Sequence, residues 1–147
     1  MSNYATLVDV LITDETKGIK NHERILELGC TPDILLKECG FPDLPLVIKA
    51  STISKICFDH GVPTSMIKRL PEIVSNPKSL FRSASVADSV VVVTFEIKGG
   101  VPIIVPIRKA ANVGRRQCNV VTSMYAKEGK DPETKWTQEN LLIWPTL

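Results

Sequence analysis

A chain of 147 residues, 44% hydrophobic and 23% charged, is long enough for one domain with a real core, and its composition excludes collagen, coiled coil and wholesale disorder. The net charge of +2 conceals an asymmetry: residues 1–45 hold eight acids and four bases, whereas residues 98–130 hold Lys98, Arg108, Lys109, Arg115, Arg116, Lys127 and Lys130 against Glu128 alone. A basic C-terminal half on a nearly neutral protein points to an anionic partner on one face, or to a solvated basic surface that meets none.

The first apolar stretch, "YATLVDVLIT", is broken by Asp9 and lacks a basic leader, so it reads poorly as a signal peptide. No run is long enough to span a membrane, and no membrane partner is expected. Cys30, Cys39, Cys57 and Cys118 contain no C-x-x-C pair, and neither histidine has a second ligand at metal spacing. The sequence therefore predicts no metal and no cofactor, with the thiols reduced and mostly buried.

In chain order, "DETKGIKNHERILELGC" places Ile19, Ile25, Leu26 and Leu28 near helical spacing, with Gly29 as a stop. "CTPDILLKECGF" predicts a short helix: Thr31 caps it, Pro32 fills its first position, Asp33 suits the dipole and Gly40 ends it. Leu46, Val47 and Ile48 predict one short strand. In "ASTISKICFDHGVP", Ser51 or Thr52 caps a helix that turns Ile53, Ile56 and Cys57 inward, with His60 last and Gly61 its exit. Two helical turns follow, reset at Pro71.

The period then changes. "DSVVVVTFEI" and "VPIIVPIRKA", joined by Lys98-Gly99-Gly100, predict a β-hairpin. Pro102 and Pro106 place its second strand at an edge or on a bulge. "CNVVTSMYAK" reads as a third strand, "EGKDPETKWTQEN" as a loop and "NLLIWPTL" as a final strand. The fold class is α+β over a single domain, 1–147: N-terminal helices packed on a roughly four-stranded antiparallel sheet.

Strand alternation puts Asn119, Val121, Ser123, Tyr125 and Lys127 on one face. That row of amide, hydroxyl, phenol and ammonium can bind phosphates and bases, or it is simply the solvated face of a sheet. His60 is a helix cap, or the acid–base group of a phosphodiester cleavage that needs no metal. Lys55, five residues earlier, lies about 140° away on an α-helix, so the two do not share a face. Its bland reading is an ion pair with Asp59. Arg82, Ser83 and Ser85 form a hydroxyl-rich turn beside an arginine, fit for a phosphate or merely for joining helix to strand. Arg115 and Arg116 follow Gly114 in a basic loop suited to backbone-phosphate contacts.

Taken together, "LLKECGFPDLPLVI", "KICFDHGV", "RLPEIVSNPKSLFRS", "VVVVTFEIKGGVPIIVPI", "NVVTSMYAK" and "NLLIWP", in this order and spacing, resemble a known toxin domain. It is found at the C-terminus of phage MuF-type head proteins and in bacterial polymorphic toxins, within the barnase–EndoU–colicin–RelE group of metal-independent ribonucleases. The resemblance runs from about Thr31 to Leu147, leaving 1–30 as an N-terminal helical extension. It implies helices on a four-stranded antiparallel sheet. It also aligns His60 with the family's helix histidine, Lys55 with the lysine before it, Ser83 with the serine after the Pro…Phe segment, and Ser123 and Tyr125 with its Ser-x-Tyr.

The function implied is cleavage of cellular RNA, tRNA included, by 2′-OH attack. His60, Lys55, Ser123, Tyr125 and Arg115 would carry the chemistry, and Arg82, Ser83, Asn119, Lys127 and Arg116 would hold the substrate. The implied site of action is the cytoplasm, after delivery from a larger phage or secreted protein, with an acidic immunity protein as inhibitor. The alternative is a non-catalytic module on the same fold that binds protein or nucleic acid.

Overall fold

The computed structural model describes residues 3–129 and 131–146. Helix α1, Tyr4–Thr16, buries Tyr4, Val8 and Leu11 along one stripe. It does not continue through the next segment as the spacing predicted. The chain turns at Gly18 (φ +85°), and Ile25–Cys30 form strand β1. The reason lies in Leu26 and Leu28, both buried on either side of exposed Glu27. Two leucines two apart share one face of a strand, not of a helix.

Helix α2, Asp33–Cys39, ends at left-handed Gly40 as expected. Thr31 does not cap it. Pro32 takes that position, and the Thr31 hydroxyl donates to the Leu44 carbonyl at 2.6 Å. Strand β2, Pro45–Lys49, leads directly into α3, Ala50–Ser54. Neither Ser51 nor Thr52 caps α3, because helical geometry begins at Ala50, ahead of both. Helices α4, Thr64–Lys68, and α5, Leu70–Ser75, divide just before Pro71.

Strands β3, Ser79–Arg82, β4, Ser89–Lys98, and β5, Val101–Val113, follow. Gly99 and Gly100, at φ +60° and +76°, make the β4–β5 turn that only such residues adopt without strain. Strands β6, Arg116–Val121, and β7, Tyr125–Ala126, replace the single strand expected there. Helix α6, Pro132–Gln138, stands where a loop was expected, and β8, Leu142–Trp144, closes the fold. Asp131 starts α6 by accepting from the Glu133 amide at 3.0 Å, with Pro132 in the first turn.

The sheet is larger than four strands and is mixed. Its eight strands run β1-β2-β6-β5-β4-β3-β8, with β7 paired to β5 alone. β2 lies parallel to β6, while the other pairs are antiparallel. β5 is interior rather than an edge, and a register break falls between Arg108 and Ala111. One face of the sheet carries Val90, Val92, Ile103, Val105, Ile107 and Val121 into the main core, against Val8, Leu11, Ile53, Ile56, Ile67 and Leu70. The other face is only partly covered. At one end, Phe81, Val91, Val93 and Ile104 pack beneath Trp136, Leu141 and Leu142. At the other end, Val47, Val113, Cys118 and Val120 form a small patch.

Candidate active cleft

The second face of the sheet opens into a cleft of about 660 Å3. Its floor is Val91, Ile104 and Pro106, and its walls come from the loop after β3, the bend between β6 and β7, and α6. The bend has a local cause in Pro106. Proline has no N–H, so the ladder on that side of β5 lapses. Its carbonyl accepts from the Thr122 amide (3.0 Å) and hydroxyl (3.3 Å), and β7 then resumes pairing at Ile103 and Ile104. Thr122 and Ser123 are thereby left at the cleft, while Met124 is fully buried in the main core.

The bend also breaks the expected alternation. Val121 faces the main core, but Tyr125, four residues on, packs with the Phe81 cluster on the opposite face. Asn119 leaves the row altogether. It is fully buried, donating to the Thr31 hydroxyl (2.8 Å) and the Pro42 carbonyl (3.0 Å) and accepting from the Ala110 amide (3.0 Å). An amide with three internal partners cannot serve a substrate, so Asn119 is structural. Ser123, Tyr125 and Lys127 do line the cleft, as do Arg82 and Ser83. The Ser83 hydroxyl accepts from the Val86 amide (3.1 Å) and so shapes its own loop. The Arg82 guanidinium donates to the Asn140 carbonyl at 2.5 Å.

The cleft is strongly cationic. Arg82, Arg108, Lys127 and Lys135 line it against the single carboxylate of Glu139. Arg108, Lys135 and Trp136 were missed as site residues. The signal for the last two was "DPE", a cap and first turn that would have announced α6. Arg108 lay within a strand read only for its apolar residues.

His60 meets Tyr125 from outside the cleft. Their ring centroids are 5.5 Å apart and the planes are tilted by 36°. Tyr125 thus belongs to both contacts: it lines the cleft, and its ring lies against the imidazole. Lys55 is exposed and does not line the cleft, though the local backbone narrows its angle to His60. Lys55–Asp59 form a π-helical turn, and the His60 amide donates to the Lys55 carbonyl at 3.0 Å. An i→i+5 turn is wider than an α-helical one, so positions 55 and 60 are closer in angle than the roughly 140° of an α-helix. No ion pair joins Lys55 to Asp59 among the described residues. Lys98 adds a further cation nearby: a side chain at Gly61 would meet its ammonium at 3.9 Å.

Arg115 and Arg116 are not brought to the cleft. They lie at the β5–β6 turn, five strand positions beyond Arg108, roughly 17 Å along the sheet. Both Arg116 nitrogens engage Glu27 (3.1 and 2.6 Å), a hydrogen-bonded pair that holds the guanidinium above its usual pKa. Lys109 donates to the Cys39 carbonyl at 2.5 Å and lies over the Phe41 ring. The basic segment is therefore divided among several roles, and Lys130 lies outside the described residues.

All four cysteines are free thiols; Cys39 and Cys118 are buried, Cys57 is partly covered and Cys30 is exposed. Among the described residues no three His, Cys, Asp or Glu side chains are grouped to hold a metal ion, and no helix is long and apolar enough to cross a membrane. The sequence matches the phage MuF C-terminal domain over residues 54–145, a span that includes His60, Tyr125 and the whole of the cleft lining. Neither a search of curated proteins nor a comparison with solved structures returned a match.

Proposed function

The chain belongs to the phage MuF C-terminal domain family, and from that footing we propose that it is a toxin of the barnase–EndoU–colicin–RelE type that cuts cellular RNA without a metal. The observation that carries this reading is that Tyr125 both touches the His60 ring and lines a cleft with four cations. The 2′-oxygen of the substrate bonds to the adjacent phosphorus and the bond from phosphorus to the 5′-oxygen breaks. The 2′-OH proton passes to a base, and an acid protonates the departing 5′-oxygen. His60, in contact with the Tyr125 ring at the edge of the site, serves as the base or the acid. Arg108 and Lys127 stabilise the charge that develops on the phosphorane. Ser123 holds a phosphate oxygen, and Tyr125 and Trp136 offer faces to the bases.

An acidic immunity protein would cover the same cleft, and delivery to the cytoplasm from a larger phage or secreted protein completes the reading. The test is incubation of the purified protein with RNA in EDTA. Cleavage leaving 2′,3′-cyclic phosphate ends, lost in His60→Ala, is the expected result. Unchanged cutting by His60→Ala would remove the histidine from the mechanism. A second reading, a binding module without catalysis, is favoured by one observation: His60 backs Tyr125 and does not line the cleft. RNA binding with no cleavage by either protein is its signature.

A further inference from the structure

The cleft does not end at its own walls. A second cavity of about 380 Å3 adjoins it on the same face of the sheet, lined by Lys49, Arg108, Ala110, Asn112 and Thr122 among others. Arg108 and Thr122 line both cavities. We propose that this second cavity is a subsite for the backbone of a single-stranded RNA segment, and that Arg108 bridges it to the cleft. The inference rests on the nucleic-acid reading above and extends it to the form of the substrate.

Three observations carry it. The first is charge. Lys49 and Arg108 are the ionisable lining of the second cavity, with no carboxylate among its residues. Neither makes an ion pair among the described residues. Both are exposed, so their charges are available to phosphates.

The second is that the position of Arg108 is built. The register of β5 against β6 slips between Arg108 and Ala111. Within the slip Ala110 has φ +47°, a left-handed conformation that a residue with a Cβ adopts only at a cost. The buried Asn119 side chain holds it there by accepting the Ala110 amide. On the other flank the Lys109 amide donates at 2.7 Å to the carbonyl of Asp88, which is itself at φ +59°. Two left-handed residues, Ala110 within β5 and Asp88 in the turn ahead of β4, thus bracket the site of Arg108, where the two cavities meet. A bulge re-aims a side chain in this way.

The third is the floor. Val91, Ile104, Tyr125 and Trp136 line the cleft, and Ala111, Val113 and Val120 line the second cavity. Unpaired bases can lie on such surfaces, whereas a duplex keeps its bases stacked inside.

The test is fluorescence anisotropy with uncleavable 2′-O-methyl RNA of roughly four and roughly twelve nucleotides, plus a duplex of the longer one. Wild type is expected to bind the longer strand about ten-fold more tightly than the shorter and more tightly than the duplex. Lys49→Gln should weaken binding of the longer strand and leave the shorter unchanged. Arg108→Gln should weaken both and reduce the slope of log affinity against log salt by about one. A longer strand that gains nothing over the shorter, a Lys49→Gln protein that binds it as wild type does, or a duplex bound equally well overturns the subsite while leaving the cleft reading intact. Failure of every RNA to bind wild type overturns both.

Discussion

The imidazole of His60 and the phenol ring of Tyr125 lie 5.5 Å apart, although the two residues come from a helix end and from a two-residue strand far along the chain. The contact joins the helical half of the molecule to its sheet at the wall of the cationic cleft, and it makes Tyr125 the residue through which both can be probed. Tyr125→Phe keeps a ring in place and should hold single-stranded RNA within about three-fold of wild type, whereas Tyr125→Ala should lose about ten-fold or more. Anisotropy titrations measure this; equal affinities for the two variants would show that the ring does not stack on bases.

His60→Ala should bind RNA nearly as well as wild type yet cut it about 100- to 10,000-fold more slowly, the usual worth of a general acid or base. Single-turnover cleavage beside binding separates the two effects. A parallel loss of binding would instead make His60 a prop for Tyr125.

Asn119→Ala should destabilise the fold by about 3 kcal/mol, at roughly 1 kcal/mol for each of its buried hydrogen bonds. Urea denaturation gives the value. A loss below about 0.5 kcal/mol would mean that the loop around Thr31 and Pro42 and the Ala110 bulge find other partners.

Arg115→Ala and Arg116→Ala together should leave cleavage of a short RNA of roughly four nucleotides within about two-fold of wild type, because neither residue lines the cleft and charges roughly 17 Å beyond Arg108 are screened over a Debye length of about 8 Å at physiological salt. Initial rates at physiological salt check this. A large loss would mean that the substrate extends to the β5–β6 turn.

Alkylation at pH 8 should modify exposed Cys30 first and reach Cys39 only on unfolding, as peptide mass mapping would show. Burial, with a smaller push from Glu38 and against the pull of Lys109, raises the Cys39 thiol from 9.0 to about 11. The fold therefore favours the protonated thiol. Its contribution is fully present below pH 9.0 and disappears as the pH rises through about 11. Denaturation midpoints of wild type should fall across that window, and those of Cys39→Ala should fall less.

Much of the local structure was legible in the sequence. The Gly99–Gly100 turn, the end of α2 at Gly40, the division before Pro71 and the strands β2 and β8 all follow from a few neighbouring residues, because turn geometry and periodicity act over that range. Ser83, Ser123, Tyr125 and Lys127, singled out from residue type and from the resemblance, all line the cleft, although not through the regular alternation expected. The rest depended on partners distant in sequence. Leu26 and Leu28 belong to a strand because β2 is there to pair with it. The parallel pairing of β2 with β6 joins residues such as Leu46 and Asn119, which no local pattern connects.

Residue type alone marked Asn119 and Arg116 as substrate contacts, but burial against Thr31 and Pro42 claimed the first and Glu27 claimed the second. The sequence by itself determined the α+β class, the β4–β5 hairpin and the supply of cations, hydroxyls and aromatic rings. Only the tertiary structure decided which of them share a cleft, because that depends on a sheet order set by long-range pairing and on Pro106 interrupting one of its ladders.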